Sequence, residues 1–331
     1  MPTVLLTGAT GFLGSHLLGE LRRRNYHVRA LVRTATTHLP ADARTALITG
    51  DMTDPVAVKQ AMDGCDAVIH AAALAQANPA RNPALWTANL TGTETLLEAA
   101  RHVPLTRFVY VGTANSFGFG TRDQPGDETR PYVGHRYGSD YMDSKRAAME
   151  RVEQAVRHWN LPAVLVHPTF MLGPHDRKPT SGQMLLELHR GRVIGYPAGG
   201  KNYVHVQDVA VATVNALTQG RMGESYILGN QNLSYQEAFA LMARTMEVPP
   251  PRWPIPPVLA QLYGRGCDAW TRLSGRPALV NAAMVAVAND GHYFSSQKAI
   301  RELGLPQTPI EQAVAEAYQW FKQNGYVDKR T

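Results

Sequence analysis

An α/β fold built on a doubly wound parallel sheet, with a smaller and mostly helical C-terminal lobe, is what this chain of 331 residues predicts. Three observations carry the prediction. A glycine-spaced turn follows directly on a short apolar N-terminal strand, apolar strand runs alternate with helical stretches through the first half, and a Gly/Pro-rich second half breaks that rhythm. Strands separated by helices pair in parallel through right-handed crossovers, which places helices on both faces of the sheet. With 44% hydrophobic residues the chain can bury the core that such a sheet needs.

Thr3 to Leu6 is the first strand, and Phe12 to Arg24 has helical periodicity with a basic end that suits the negative pole of the helix dipole. His27 to Val32 and Ala46 to Ile48 read as the second and third strands, Pro55 to Met62 as a helix opened by proline, and Ala67 to His70 as the fourth strand. Asn82 to His102 is helical. Arg107 to Val111 is the fifth strand, Tyr137 to Trp159 a long helix, and Ala163 to His167 the sixth strand. This is the Rossmann pattern, expected over residues 1–167, with 203–228 returning to it through strands at Tyr203 to Val206 and Ser225 to Leu228. Residues 168–202 and 229–331 are expected to form a substrate lobe over the carboxyl ends of the strands, where open parallel sheets bind ligands.

Bulk properties exclude several classes. The net charge of +6 and pI near 9.3 come from scattered Lys and Arg, without basic stretches interleaved with aromatics, so no nucleic-acid partner is expected. Cys65 and Cys267 stand far apart with no ligand pattern around them, which predicts no metal site and fits reduced thiols in a cytoplasm. The N-terminus enters its first strand at once, leaving no room for a signal peptide, and no apolar run approaches the roughly 18 to 20 residues of a membrane span.

Gly8, Gly11 and Gly14 sit between the first strand and the first helix. Glycines there permit a tight turn and close approach of backbone to a pyrophosphate, whose charge meets the free N–H groups of the helix start. That predicts a dinucleotide site. The end of the second strand selects the dinucleotide, because an acid bonds the ribose 2′-OH and a base accommodates a 2′-phosphate. Here Val32-Arg33 ends the strand and no acid appears before Asp42. NADP(H) is therefore favoured over NAD(H), with Arg33 on the 2′-phosphate and Thr34 or Arg44 as helpers; the alternative for Arg33 is a solvated strand-end arginine.

Tyr141 and Lys145 lie four residues apart, on one face of the long helix. A phenol with a pKa of about 10 serves as a base near neutrality only beside a positive charge, and lowering it by about three units requires roughly 4 kcal/mol of differential stabilisation. Lys145 is the expected source of that charge. Thr113, just past the fifth strand, can hydrogen-bond a substrate oxygen or satisfy its own turn, and Ser116 is the alternative hydroxyl. Such a set moves a proton beside a hydride.

With Thr7 to Gly14, Gly50 to Asp54, His70 to Ala73, Asn89 to Thr93, Tyr141 to Lys145 and Tyr203 to Ala210 taken together, the chain resembles the extended short-chain dehydrogenases/reductases, also described as the NAD-dependent epimerase/dehydratase family. Within it, the stretches Gly173 to Thr180 and Gly223 to Gly229 are most similar to dihydroflavonol 4-reductase-like and hopanoid-associated sugar epimerase-like members. The resemblance implies that Thr10, Phe12 and Leu13 of the glycine turn contact the cofactor, that Asp51 and Met52 sit against adenine, and that Ala71, Ala72 and Ala73 run along the cofactor. It also implies that His167 and Thr169 lie beside the nicotinamide, that Asn89 orders the site, and that Thr113, Tyr141 and Lys145 are the catalytic triad. A homodimer through the helices at Asn82 to His102 and Tyr137 to Trp159 is what the family suggests.

Two departures argue against a nucleotide-sugar substrate. His167-Pro168 replaces an asparagine before the proline, and Lys201-Asn202 stands where those enzymes carry an arginine able to fork onto a diphosphate. The runs Met184 to Leu186, Val258 to Ala260 and Leu279-Val280 either line an apolar pocket or pack the lobe. The leading expectation is an NADPH-dependent reductase of a ketone or aldehyde, with a small-molecule carbonyl or alcohol as substrate. An NAD-dependent epimerase or dehydratase and a non-catalytic dinucleotide sensor are the competing readings.

Overall fold

The computed structural model describes residues 1–34, 39, 42–76, 80–276, 278 and 280–327; Leu279 lies outside them. Its first half contains β1 (Thr3–Thr7), α1 (Phe12–Arg23), β2 (His27–Val32), β3 (Thr45–Thr49), α2 (Pro55–Met62), β4 (Ala67–His70), α3 (Pro83–Trp86), α4 (Gly92–Ala100), β5 (Arg107–Val111), α5 (Asp140–Trp159) and β6 (Ala163–Pro168). The second half contains β7 (Phe170–Leu172), α6 (Gln183–His189), β8 (Gly195–Tyr196), β9 (Gly200–His205), α7 (Val206–Asn215), β10 (Ser225–Leu228), β11 (Gln231–Ser234) and α8 (Tyr235–Met246). It continues through β12 (Trp253–Pro254), α9 (Pro257–Ser274), α10 (Ala282–Asn289), β13 (Gly291–His292), α11 (Gln297–Leu303) and α12 (Ile310–Gln323).

The main sheet is parallel throughout, in the order β10-β6-β5-β4-β1-β2-β3. Its strands read as near-continuous apolar runs because both faces are covered. Val4 and Leu6 of β1 face one layer, where Leu13, Leu17 and Leu21 of α1 meet Val209 and Ala212 of α7. Leu5 faces the other, with Val58 and Met62 of α2, Leu96 and Leu97 of α4, and Met149 and Val152 of α5. Strand order reverses between β1 and β4, so a crevice opens at their carboxyl ends.

Two helices depart from their sequence boundaries. The segment expected as one helix from Asn82 to His102 carries a π-helical turn over Thr87–Thr91, where the Thr93 hydroxyl bonds the Asn89 carbonyl at 2.6 Å. The long helix expected from Tyr137 starts at Asp140 instead, because a short 3₁₀ turn over Gly134–Tyr137 ends on Gly138 at φ +61°. Asp140 then anchors the helix start, accepting from the Asn82 amide at 2.7 Å and from Arg81 at 2.9 Å.

The second half is mostly helical, with short strands gathered into two small sheets. β9 pairs with β7, β11 and β13 in a separate small sheet, and β8 pairs with β12. The segment expected to return to the main sheet is thus divided: Tyr203 to His205 lie in the small sheet, while β10 adds to β6 and α7 packs on α1. The lobe has its own core, in which Leu185 and Leu186 meet Phe239, Met242, Val314 and Phe321. Those two leucines pack the core, whereas Val258 and Leu259 are 70% and 60% exposed on α9 and do neither of the things expected of them. No helix among the described residues is long and apolar enough to cross a membrane.

Candidate active site

The glycine turn is shaped by contact rather than by flexibility. Gly8 has φ +76°, and a Cβ there would stand 2.6 Å from the Ala72 amide nitrogen. Gly14, in the first turn of α1, has Gly8 so close that a Cβ would overlap its carbonyl, and the Gly11 amide donates to the same Gly8 carbonyl at 2.9 Å. Gly11 is the N-cap of α1 with no side chain to cap it, and the first turn holds no acid. The helix start therefore offers unpaired N–H groups and a positive dipole end. Thr10 and Gly11 are exposed there and Phe12 half-buried, whereas Leu13 points into the core, so only its backbone faces the opening. These residues fit a dinucleotide pyrophosphate.

The register Val32↔Thr49 sets Arg33 and Asp51 side by side at the ends of β2 and β3, both exposed. Hydrogen bonds from the Thr53 hydroxyl and amide, aided by Arg33, hold the Asp51 carboxyl below its ordinary value. Exposed Thr34 follows Arg33, and the guanidinium of Arg44, the other expected helper, donates to Asn25 at 2.7 Å. Met52 is half-buried against Gly92 of α4. Ala71 and Ala72 are half-buried and Ala73 exposed, beside the glycine turn because β4 neighbours β1.

A polar chain beneath these residues has one consistent direction. The Ala72 amide donates to Thr7 Oγ1 at 3.1 Å, Thr7 Oγ1 meets His70 Nδ1 at 2.8 Å, His70 Nε2 meets Thr93 Oγ1 at 2.9 Å, and Thr93 donates to the Asn89 carbonyl. Because Thr93 spends its proton on Asn89, it accepts from His70 Nε2–H, and Nδ1 accepts from Thr7. Burial holds His70 neutral, its pKa lowered to about 3. Asn89 extends the chain, its Oδ1 accepting from the Leu74 backbone amide at 2.8 Å and its Nδ2 donating to Ser144 Oγ of α5 at 3.0 Å. The π-turn thus aims Asn89 at the helix that carries Tyr141 and Lys145.

Tyr141 is half-buried and its hydroxyl pairs with that of Thr113. Burial raises the Tyr141 pKa from its ordinary value, and Thr113 opposes the rise. Lys145 is 3% exposed, its Nζ donating to the Val111 carbonyl at 2.8 Å and standing 4.7 Å from the Tyr110 ring centre. Burial brings it down to about 7. Tyr141 is thus shifted upward by its own desolvation, while the Lys145 ammonium is bonded to the β5 backbone.

The two candidate hydroxyls separate cleanly. Thr113 pairs with Tyr141, while Ser116 is fully buried with no partner for its Oγ among the described residues. The side chains of His167 and Thr169, expected beside the nicotinamide, are both engaged with neighbouring protein groups. Strand alternation turns His167 onto the α5 face of β6, where its ring meets Phe117 at 4.8 Å, bonds Ser225 at 3.1 Å and abuts Gly112, and burial lowers its pKa to about 3. Thr169 donates inward to Asn202 at 2.9 Å.

The sequence reading missed a second set of residues. His292 of β13 bonds Asn115 at 3.1 Å and Tyr137 at 3.2 Å and stacks on Phe119 with ring centres 4.2 Å apart. Tyr137 in turn donates to Asp290 at 2.5 Å. The small sheet is thereby tied to the turn that follows Thr113, since the Asn115 amide donates to Thr113 Oγ1. Partners 177 and 155 residues from His292 in sequence leave no local pattern to detect. Lys201 of β9 lies 5.1 Å from the Phe170 ring centre and 6.0 Å from that of Tyr235, and burial lowers it to about 8.

Comparison with known proteins agrees with this geometry. The model of the NAD-dependent epimerase/dehydratase family matches residues 4–229. A Synechocystis protein named for dihydroflavonol 4-reductase is 31% identical, over 97% of this chain and 95% of its own length. Sterol demethylase protein B of Methylococcus capsulatus is 27% identical, over 98% of this chain and 100% of its own. The crystal structure of gox2253 superposes with a TM-score of 0.87 at 32% identity, covering 99% of this chain and 100% of that one.

Proposed function

This chain belongs to the NAD-dependent epimerase/dehydratase family, as an NAD(P)-dependent enzyme of the extended short-chain dehydrogenase/reductase type, and we propose that it reduces a ketone or aldehyde on a medium-sized, partly apolar molecule with NADPH. The observation that carries this reading is the Thr113–Tyr141 hydroxyl pair, with Lys145 buried one helical turn beyond Tyr141. The reductase and sterol names of the two curated relatives support a carbonyl on an apolar frame, and Arg33 at the end of β2 supports NADPH.

NADPH, when bound, supplies the hydride. The open start of α1 and Gly8, Gly11 and Gly14 would hold its pyrophosphate, and Arg33 its 2′-phosphate. Thr113 Oγ1 donates to the substrate oxygen and orients it, and Tyr141 delivers the proton to that oxygen as negative charge develops there. An ammonium at Lys145 stabilises the resulting phenolate. Asn89 and Ser144 keep α5 in register with the loop after β4, so that donor and acceptor remain aligned.

The test is stoichiometry. Purified protein that is free of dinucleotide and binds NADPH more tightly than NADH should oxidise one NADPH for each alcohol formed from a panel of apolar ketones and aldehydes. Protein that retains NAD(H) and turns over without net NADPH consumption would instead be an epimerase or dehydratase.

A further inference from the structure

Helix α9 is built inside out. Of its 18 residues only Gly264 is buried, and a Cβ at Gly264 would stand 2.9 Å from Ala282 Cα of α10. The helix therefore rests on α10 by a small-residue contact, while its large apolar side chains point the other way. Val258, Leu259, Leu262, Tyr263, Trp270 and Leu273 are 70%, 60%, 58%, 66%, 62% and 87% exposed. At 100° per residue they share one face, and Trp253 and Ile194, at 73% and 80% exposed, stand on and beside the β12–β8 pair, whose β12 strand precedes the helix in the chain. Single exposed hydrophobics are ordinary on a protein surface, but a continuous face of this kind marks a contact.

The charges around it identify the contact. Arg252, Arg265, Arg272 and Arg276 are all exposed on or beside α9, and Asp268, the sole acid of the helix, is turned inward to accept from the Ala282 amide at 3.2 Å. The outer face thus combines aliphatic and aromatic side chains with a flank of arginine and no acid. Two copies joined through this face would line up those arginines against one another. An anionic lipid surface complements both features at once, taking Leu, Trp and Tyr at the headgroup–acyl boundary and Arg at the phosphates.

We propose that α9, with Trp253 and Ile194, is a peripheral membrane-docking surface that lays the protein on an anionic bilayer without crossing it. The inference is independent of the redox reading, because no residue of α9 belongs to the site around Tyr141. The experiment is flotation of the full chain with vesicles of phosphatidylcholine alone and of phosphatidylcholine mixed with phosphatidylglycerol. The protein should float with the mixed vesicles, with a blue shift of tryptophan emission, and much less with phosphatidylcholine alone. Each of Arg265→Gln and Arg272→Gln should reduce the bound fraction by about fivefold at limiting lipid. Leu262→Glu with Leu273→Glu should abolish flotation while the circular dichroism spectrum and thermal midpoint, the checks on folding, stay unchanged. Failure to float with either vesicle would overturn the proposal, as would a concentration-dependent dimer in sedimentation velocity that Leu262→Glu dissolves, which would assign the face to a second copy.

Discussion

The Nζ of Lys145 donates to the carbonyl of Val111 over 2.8 Å, so the same contact that positions the lysine also removes it from water. Burial lowers its pKa from 10.5 to about 7. Between those values the unfolded chain binds more protons than the folded one, so this group makes stability rise with pH and imposes its full cost below about pH 7. Lys145→Met should therefore gain stability relative to wild type near pH 7, by an amount on the order of a few kcal/mol, and the gain should vanish toward pH 10. Urea unfolding of both proteins across that range checks this; a gap independent of pH would contradict it.

Removing the proton donor should separate chemistry from binding. Tyr141→Phe is expected to lower kcat by about 10² to 10⁴ while NADPH affinity changes little, and Thr113→Val to cost less, since it orients the oxygen without supplying its proton. Single-turnover kinetics with NADPH fluorescence titration reads both quantities.

Two glycines should be irreplaceable for different reasons. Gly14→Ala overlaps the Gly8 carbonyl, and Gly8→Ala combines φ +76° with a 2.6 Å approach to Ala72. Each should destabilise the fold by about 1 to 3 kcal/mol and weaken dinucleotide binding further, whereas Gly19→Ala, with nothing within 4 Å of its Cβ, should leave binding unchanged. Denaturation midpoints and dinucleotide titrations compare the three.

Arg33→Ala should cut the preference for NADPH over NADH at least about tenfold, mainly by weakening NADPH. An unchanged ratio of kcat/KM values would return Arg33 to the role of a solvated strand-end residue.

The Thr7–His70–Thr93 chain predicts acid sensitivity. His70 has a folded pKa of about 3 against an ordinary 6.5, so the folded state refuses a proton that the unfolded chain accepts, and stability is lost as pH falls from about 6.5 toward 3. His70→Asn should be less stable near neutrality and show a shallower decline with acid. Thr93→Val, which leaves the His70 Nε2–H without its acceptor, should cost about 1 to 3 kcal/mol. Thermal unfolding followed from pH 7 to 4 distinguishes the two variants.

Much of the frame was legible because it is local. An apolar strand, a glycine turn and an amphipathic helix are specified by neighbouring residues, and so is the placement of Tyr141 and Lys145 one helical turn apart. His167 shows where local reading stops. Its place at the end of the sixth strand was readable, but the face it occupies depends on strand alternation within a sheet covered on both sides, which turned it into the core against Phe117. Ser116 and Thr113 were equivalent as letters; only the 3₁₀ turn over Ala114–Ser116 buries one and leaves the other paired with Tyr141.

The sequence by itself determined the doubly wound sheet, the placing of ligands at the carboxyl ends of its strands and the residue types offered there, because short-range periodicity and turn chemistry encode each of them. Tertiary structure decided which hydroxyl faces Tyr141, that Lys145 is bonded to the β5 backbone, and that His292 reaches Asn115 from 177 residues away. It also decided that the apolar face of α9 looks outward, since an amphipathic pattern states that a helix has two faces and only packing states which one meets α10. These outcomes depend on desolvation and on contacts between distant segments, and neither is a property of any stretch of chain taken alone.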